Sequence, residues 1–250
     1  MPPSDFPSAL DEVLRADPGR PLVTFYDDAT GERVELSMQT YGNWVSKTAG
    51  LVQDELELAR GALVLLDLPT HWLGAVWLGA CWTGGLCVTD ETSRVHEAEL
   101  VVCGPDGLDR YAGHAQQRAV VALSLRPLGA RFADPLPEGV LDYGAVVLAQ
   151  PDAFVSYDPP GPDDEAWRTV NGSISQHEML ESAAARPVVG RSGRLLTDVN
   201  PCTLPGRDSL LSPLLQHGSA VWVVNPEPSR WEGRYAEERA TALLRSDPVE

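Results

Sequence analysis

The sequence is nearly without lysine: of 19 Lys and Arg side chains only Lys47 is a lysine, and they stand against 36 Asp and Glu for a formal net charge of −17. That balance excludes an unaided basic groove for nucleic acid or anionic lipid, since both are bound through clustered positive charge. Cysteine is scarce as well. Cys81, Cys87, Cys103 and Cys202 form no Cys-x-x-Cys pair and no disulfide-dense spacing, which excludes a stapled secreted scaffold and points to reduced thiols in the cytoplasm. The five histidines, His71, His96, His114, His177 and His217, lie away from metal-ligand spacing, and no metal site is expected. No apolar run is long enough for a membrane span, because the stretch from Ala62 to Val88 is broken by Asp67, Pro69 and His71 and divided again at Gly84-Gly85. Met1 to Phe6 carry neither a basic nor an apolar region of a secretory signal, so the sequon Asn171-Gly172-Ser173 reads as a chance match. Also missing are Gly-x-Gly-x-x-Gly, Gly-x-x-x-x-Gly-Lys-Ser/Thr and Gly-x-Ser-x-Gly, which argues against the commonest dinucleotide, P-loop and α/β-hydrolase sites.

What is present suits a folded chain. With 250 residues, 43% hydrophobic and 22% charged, the protein can bury a core and make one domain or a little more. Its 22 glycines and 21 prolines follow no period and announce many turns between short elements.

The order of segments is informative. Phe6 to Arg15 reads as a short amphipathic helix ended by Asp17-Pro18-Gly19. Pro21 to Tyr26 and Glu32 to Leu36 read as two strands joined by a turn at Asp27 to Gly31. Ser37 caps a helix with Tyr41, Trp44, Val45, Thr48, Leu51 and Val52 at helical spacing. The apolar strand Ala62 to Asp67, a helix from Pro69 through Trp82 and a strand at Leu86 to Thr89 make a βαβ unit, hence a parallel sheet covered by helices. Strands at Leu100 to Cys103 and Ala119 to Leu123, around a helix from Leu108 to Gln117, repeat it. Arg126 to Val140 reads as loop, Ala153 to Tyr157 as a strand, Asp158 to Glu165 as an acidic proline-rich loop and Ser175 to Ala185 as a helix. Arg194 to Thr197 is a short strand, Leu210 to Gln216 a helix and Ala220 to Val224 a strand. A polar helix from Trp231 to Leu244 packs at an edge or frays. No repeat of solenoid length is found.

The runs RPLVTFYDDATGERVELSMQTYGNWVSKTAGLV and GALVLLDLPTHWLGAVWLGACWTGGLCVTD resemble the opening of the adenylate-forming superfamily, which includes acyl-CoA synthetases, luciferases and nonribosomal-peptide adenylation domains. Leu68-Pro69-Thr70-His71 resembles the family's loop after its buried strand, and Cys81 to Val88 resembles its helix end. AFVSY resembles the strand before the phosphate loop, SISQHEML the segment after it, and the run from Gly193 to Val224 the continuation of the core. The similarity covers residues 20 to 225 through loosely specified apolar positions. It implies a three-layer α/β fold, a mostly parallel sheet flanked by helices, with residues 1–225 as the synthetase-like domain and 226–250 as a tail.

The family's phosphate loop is rich in Ser, Thr and Gly and ends in Pro-Lys-Gly, so that N–H groups, hydroxyls and one lysine face the ATP phosphates. Here the place is taken by Tyr157 to Arg168. Pro159, Pro160 and Pro162 have no N–H, while Asp158, Asp163, Asp164 and Glu165 put like charge beside an anion. The degenerate site is Tyr157, Gly161, Arg168, Thr169, Asn171 and Ser173, the positions left to meet a ligand in this segment. The resemblance also implies downstream Mg²⁺ and ribose contacts and a mobile domain with a catalytic lysine; these are not matched, and Lys47 lies on the first long helix.

The expectation is a truncated pseudoenzyme with no catalytic residues, no metal and no ATP bound in the family manner, acting through a protein partner, a homo-oligomer or a small ligand. The alternatives are a fragment enzyme or nucleotide/acyl-binding subunit completed by a separate chain, and a purely structural assembly subunit. Four local readings stand open beside this. Cys202 is a structural or a reactive thiol. His71 is a cap or a ligand-facing group at the end of a buried strand. Asp158, Asp163, Asp164 and Glu165 form a solvated loop or gather a hard cation. Trp72, Trp77 and Trp82 pack inside or face a partner.

Overall fold

In the computed structural model, which describes residues 3–246, the amphipathic N-terminal stretch is helix α1 (Phe6–Ala16), capped by Asp5 accepting from Ser8 N and buried along Phe6, Ala9, Leu10 and Val13. Strands β1 (Pro21–Asp27) and β2 (Glu32–Ser37) pair antiparallel, and Ser37 caps α2 (Met38–Gly50) through Thr40 N. That helix runs on into a π-helical turn, Leu51–Glu55, in which Leu56 N donates to Leu51 O at 3.1 Å. The βαβ unit is β3 (Leu63–Asp67), α3 (Trp72–Thr83) and β4 (Cys87–Thr89), with the two strands parallel. β5 (Leu100–Cys103), α4 (Leu108–Tyr111) and β6 (Ala119–Ala122) repeat it, followed by β7 (Val140–Asp142) and α5 (Tyr143–Val146). The chain then forms β8 (Glu165–Thr169), β9 (Gly172–Ser175), α6 (Gln176–Ala185), β10 (Arg194–Thr197), α7 (Asp208–Leu215), β11 (Ser219–Val224), α8 (Trp231–Glu237) and β12 (Ala242–Leu244).

The mostly parallel α/β architecture expected from the sequence holds, with the strands divided between two sheets. One has seven strands in the order β7-β6-β5-β3-β4-β8-β9, the other five in the order β12-β10-β11-β1-β2. In each, one edge strand alone is antiparallel, β9 in the first and β2 in the second. Strand alternation explains how the sheets share a core: Val64 and Leu66 of β3, with Ala220 and Trp222 of β11, face a common layer of α1, α2, α3, α6 and α7. Leu63 and Leu65 face outward with Tyr111 of α4, and Val221 and Val223 outward with Trp231 of α8. α3 lies inside that common layer and is buried all round, which is why its sequence is apolar on every face. Trp72, Trp77 and Trp82 are all fully buried, so the partner-facing reading of these residues is excluded. Each indole takes about 200 Å² out of water, an upper-bound transfer term of about 5 kcal/mol.

Three local expectations are corrected. Ala153 to Tyr157 is not a strand: the segment crosses the surface without a ladder partner, with Val155 and Tyr157 80% and 81% exposed. The strand lies later, in the β8–β9 hairpin, where polar Arg168 and Thr169 hid a pattern that buries Ala166 and Trp167. The polar helix from Trp231 stops at Glu237 rather than Leu244, and Ala242–Leu244 pairs parallel with β10, so this end of the chain completes the five-stranded sheet.

Candidate functional site

The six residues of the degenerate phosphate-loop segment fall into two groups. Tyr157 and Gly161 lie on the strap formed by residues 152–164, which crosses from the middle of the chain to β8. Tyr157 N donates to Gln53 Oε1 at 3.0 Å, and Gly161 N donates to Asp164 Oδ2 at 2.8 Å. Arg168, Thr169, Asn171 and Ser173 belong to the β8–β9 hairpin. Arg168 and Ser173 stand opposite each other in the ladder, while Thr169 Oγ1 donates to Gly172 O and accepts from Asn171 N, both at 3.1 Å, to close the turn. Most of these hydrogen bonds serve the hairpin itself, and Thr169 O also accepts from Arg94 Nη2 at 3.0 Å.

Two of the strap's carboxylates, Asp158 and Asp164, are paired with Arg60, which lies ahead of β3. Arg60 Nε and Nη2 donate to the two oxygens of Asp164 at 2.7 and 2.8 Å, and its Nη1 to Asp158 at 3.1 Å. Arg168 pairs with Glu165. Arg60 thereby holds the Asp164 carboxyl below the usual range, and Arg168 does the same for Glu165. Sequence reasoning did not single out Arg60. Its signal was an arginine immediately before the buried strand, facing the one acidic loop. Among the described residues, no group of three or more His, Cys, Asp or Glu is placed to hold a metal ion.

The carboxyl ends of the two sheets meet elsewhere, around residues 198–207 between β10 and α7. Asn200 Nδ2 donates to Leu68 O at 2.7 Å, across from one sheet to the other, and Asn200 Oδ1 accepts from Cys202 N at 2.9 Å. Asp90, just past β4, accepts from Leu204 N at 3.1 Å and from Trp167 Nε1 at 3.3 Å. Cys202 is 1% exposed against α3, where a Cβ added to Gly74 would sit 2.5 Å from its Sγ. Burial pushes this thiol up, and pushes Cys87 and Cys103 up to about 12, so the structural reading of Cys202 holds. His71 caps α3: its Nδ1 accepts from Leu73 N at 3.1 Å, which leaves the proton on Nε2. The ring packs 4.7 Å from Phe25 and 5.6 Å from Trp72, and burial pushes its pKa down to about 3. It is a neutral cap inside the core, not a group facing a ligand.

A cavity of about 290 Å³ lies at the carboxyl ends of β3 and β5. β3 leads into α3 on the inner face and β5 into α4 on the outer face, so this is the switch point of the seven-stranded sheet. Asp67 accepts there from Arg110 Nη1 at 2.6 Å and from Tyr111 OH at 2.8 Å, beside the Gly104 to Gly107 loop. A second cavity, of about 280 Å³, lies under the strap and is lined by Tyr157, Asp158 and Arg60 among others. No helix among the described residues is long and apolar enough to cross a membrane.

This fold is shared with part of solved acyl-CoA synthetases. An acyl-CoA synthetase of Brucella canis superposes with a TM-score of 0.76 at 16% identity, over 95% of this chain and 47% of that one. A fatty acyl CoA synthetase of Mycobacterium tuberculosis gives 0.71 at 14% identity, over 95% and 48%. The N-terminal domain of FACL13 from the same organism gives 0.71 at 14%, over 94% and 61%. The chain thus spans about half the length of the first two solved synthetases.

More particularly, the chain belongs to the TIGR03089 family. A TIGR03089 family protein of Mycobacterium tuberculosis (strain ATCC 25618 / H37Rv) is 39% identical over 242 residues, 94% of this chain and 96% of that relative. No family model matches the chain.

Proposed function

We propose that this chain is a non-catalytic relative of the adenylate-forming enzymes, a cytoplasmic protein that acts by binding a protein partner or a small ligand. The supporting observation is the balance of charge around the strap: Arg60 is fixed by its fork on Asp164 and shares only Nη1 with the exposed Asp158, Arg168 pairs with Glu165, and Pro159, Pro160 and Pro162 donate no N–H. A triphosphate laid there meets four carboxylates, Asp158, Asp163, Asp164 and Glu165, against the single exchangeable donor Arg60 Nη1. One such carboxylate about 4 Å from a phosphate costs about 4 kcal/mol at an effective dielectric near 20. A helix N-terminus returns only about 0.3–1 kcal/mol. These residues do not fit the phosphates of ATP in the family manner. Acid-dependent exchange of pyrophosphate into ATP, over a panel of carboxylic acids, tests the reading. No exchange above the blank is expected, and robust exchange that is lost on altering residues 158–171 overturns it.

The switch-point cavity favours a second reading, a subunit that binds a nucleotide or an acyl group and works with a separate chain. Open parallel sheets hold ligands at such a crevice, and Arg110 supplies a cation at its rim. Calorimetry with ATP, AMP and an acyl-adenylate analogue decides it. Saturable heat that disappears in Arg110→Ala supports this reading, and no saturable heat removes it.

A further inference from the structure

The cavity under the strap has an apolar wall of Ala49, Val52, Leu58, Ala80 and Leu86, with Arg60 at its mouth. Its floor lies where α2 gives way to the π-helical turn, so that Ala49 comes from regular helix and Val52 from the wider turn. Such turns shift side chains out of helical register and are frequent at functional positions. Gln53 of the same turn reaches the roof: Oε1 accepts from Tyr157 N, and Nε2 donates to Val155 O at 3.4 Å. The roof has neither helix nor strand to stiffen it, and the Tyr157 ring is left in solvent.

Arg60 divides its donors between two duties. Nε and Nη2 make a bidentate fork onto Asp164, a geometry that fixes the guanidinium plane. Gly85, at φ +75°, lies beneath the arginine stem, where a Cβ would come within 3.1 Å of Arg60 Cγ and 3.3 Å of Pro160 Cβ. The third donor, Nη1, meets only Asp158, whose side chain is 71% exposed. An ion pair that open to water is easily exchanged for another anion.

We propose that this cavity binds a small amphipathic anion, whose apolar body lies on the Ala49, Val52, Leu58, Ala80 and Leu86 wall and whose charged group takes Arg60 Nη1 in place of Asp158. Asp158 is then a tethered competitor that fills the anion position when the cavity is empty, and Asp164 holds the arginine aimed. The volume, about 280 Å³, lies just below the range for drug-sized ligands, about 300–1,000 Å³, and suits a small one. The inference deepens the binding reading above and rests on it, but the two fail separately: pyrophosphate exchange decides the first, and a probe titration decides this one.

The probes are 8-anilino-1-naphthalenesulfonate and its uncharged counterpart N-phenyl-1-naphthylamine, titrated by fluorescence into the folded full chain. The sulfonate is expected to saturate at one per chain and to bind about tenfold tighter than the neutral probe, the worth of one charge-assisted hydrogen bond. Arg60→Gln removes that advantage. Asp158→Asn, a surface change that leaves the fold intact, tightens the sulfonate by up to about fivefold and leaves the neutral probe unchanged. Equal affinity of the two probes in the parent chain, binding without saturation, or a sulfonate affinity unmoved by Asp158→Asn each overturns the proposal.

Discussion

Two regions of this protein hold carboxylates in opposite ways. At the junction of the sheets, Asp90 serves neutral donors, the Leu204 amide and the Trp167 indole, and both it and Asn200 tie separate elements together through hydrogen bonds of 2.7–3.3 Å. On the strap, Asp158 and Asp164 serve one arginine, and the outer of these contacts stands mostly in water. The junction costs more to open because the Trp167 indole is fully buried and Asp90, Asn200 and Leu204 are only partly open to water. The strap is shifted at little cost because water and other ions replace what it loses.

The largest expected consequence of that contrast is at the junction. Asp90→Ala leaves the Leu204 N–H and the Trp167 indole without their acceptor and should lower unfolding free energy by about 3 kcal/mol, read from urea denaturation. A loss below about 1 kcal/mol would show that the junction is no tighter than the strap. An effect of similar size at low pH is expected from His71, whose folded pKa lies near 3 against an ordinary 6.5. Its pKa is depressed by folding, so the unfolded chain takes up the proton first and stability is lost as pH falls below about 6.5. In urea titrations from pH 7 to pH 4, the parent should lose more stability than His71→Asn, since a neutral amide has no proton to gain. Parallel pH profiles would sink the assignment. The smallest effect belongs to Asp158→Asn, which should leave Tm unchanged within the usual range for exposed positions, about 0.5 kcal/mol. A clear drop in Tm would make the strap as structural as the junction and erase the contrast.

The parts legible in the sequence were those written in period and run length. β3, β4, β5 and β6 are continuous apolar runs because both faces of their sheet are covered, and α3 is apolar all round because it lies between two sheets. The division into two sheets was not legible, since strand pairing between segments as distant as β1 and β11 leaves no local mark. AFVSY shows why β propensity misleads: Phe, Val and Tyr have the right composition, but no ladder partner lies beside them. β8 was missed for the converse reason, because a hairpin at the sheet's edge tolerates polar Arg168 and Thr169 at its partly exposed end. Of the candidate site, the loss of N–H donors was readable from three prolines. The compensation of the acidic residues by Arg60, roughly a hundred positions away in sequence, needed the tertiary fold.

Cys81, Cys87, Cys103 and Cys202 are all free and all buried, and they lie in both the outer and the inner layers of the core. The folded chain therefore offers alkylating reagents no ready thiolate, and each cysteine becomes reactive only when its own layer opens. Alkylation followed cysteine by cysteine is thus a clock built into the chain, with Cys103 timing the layer behind the seven-stranded sheet and Cys202 timing the junction of the two sheets.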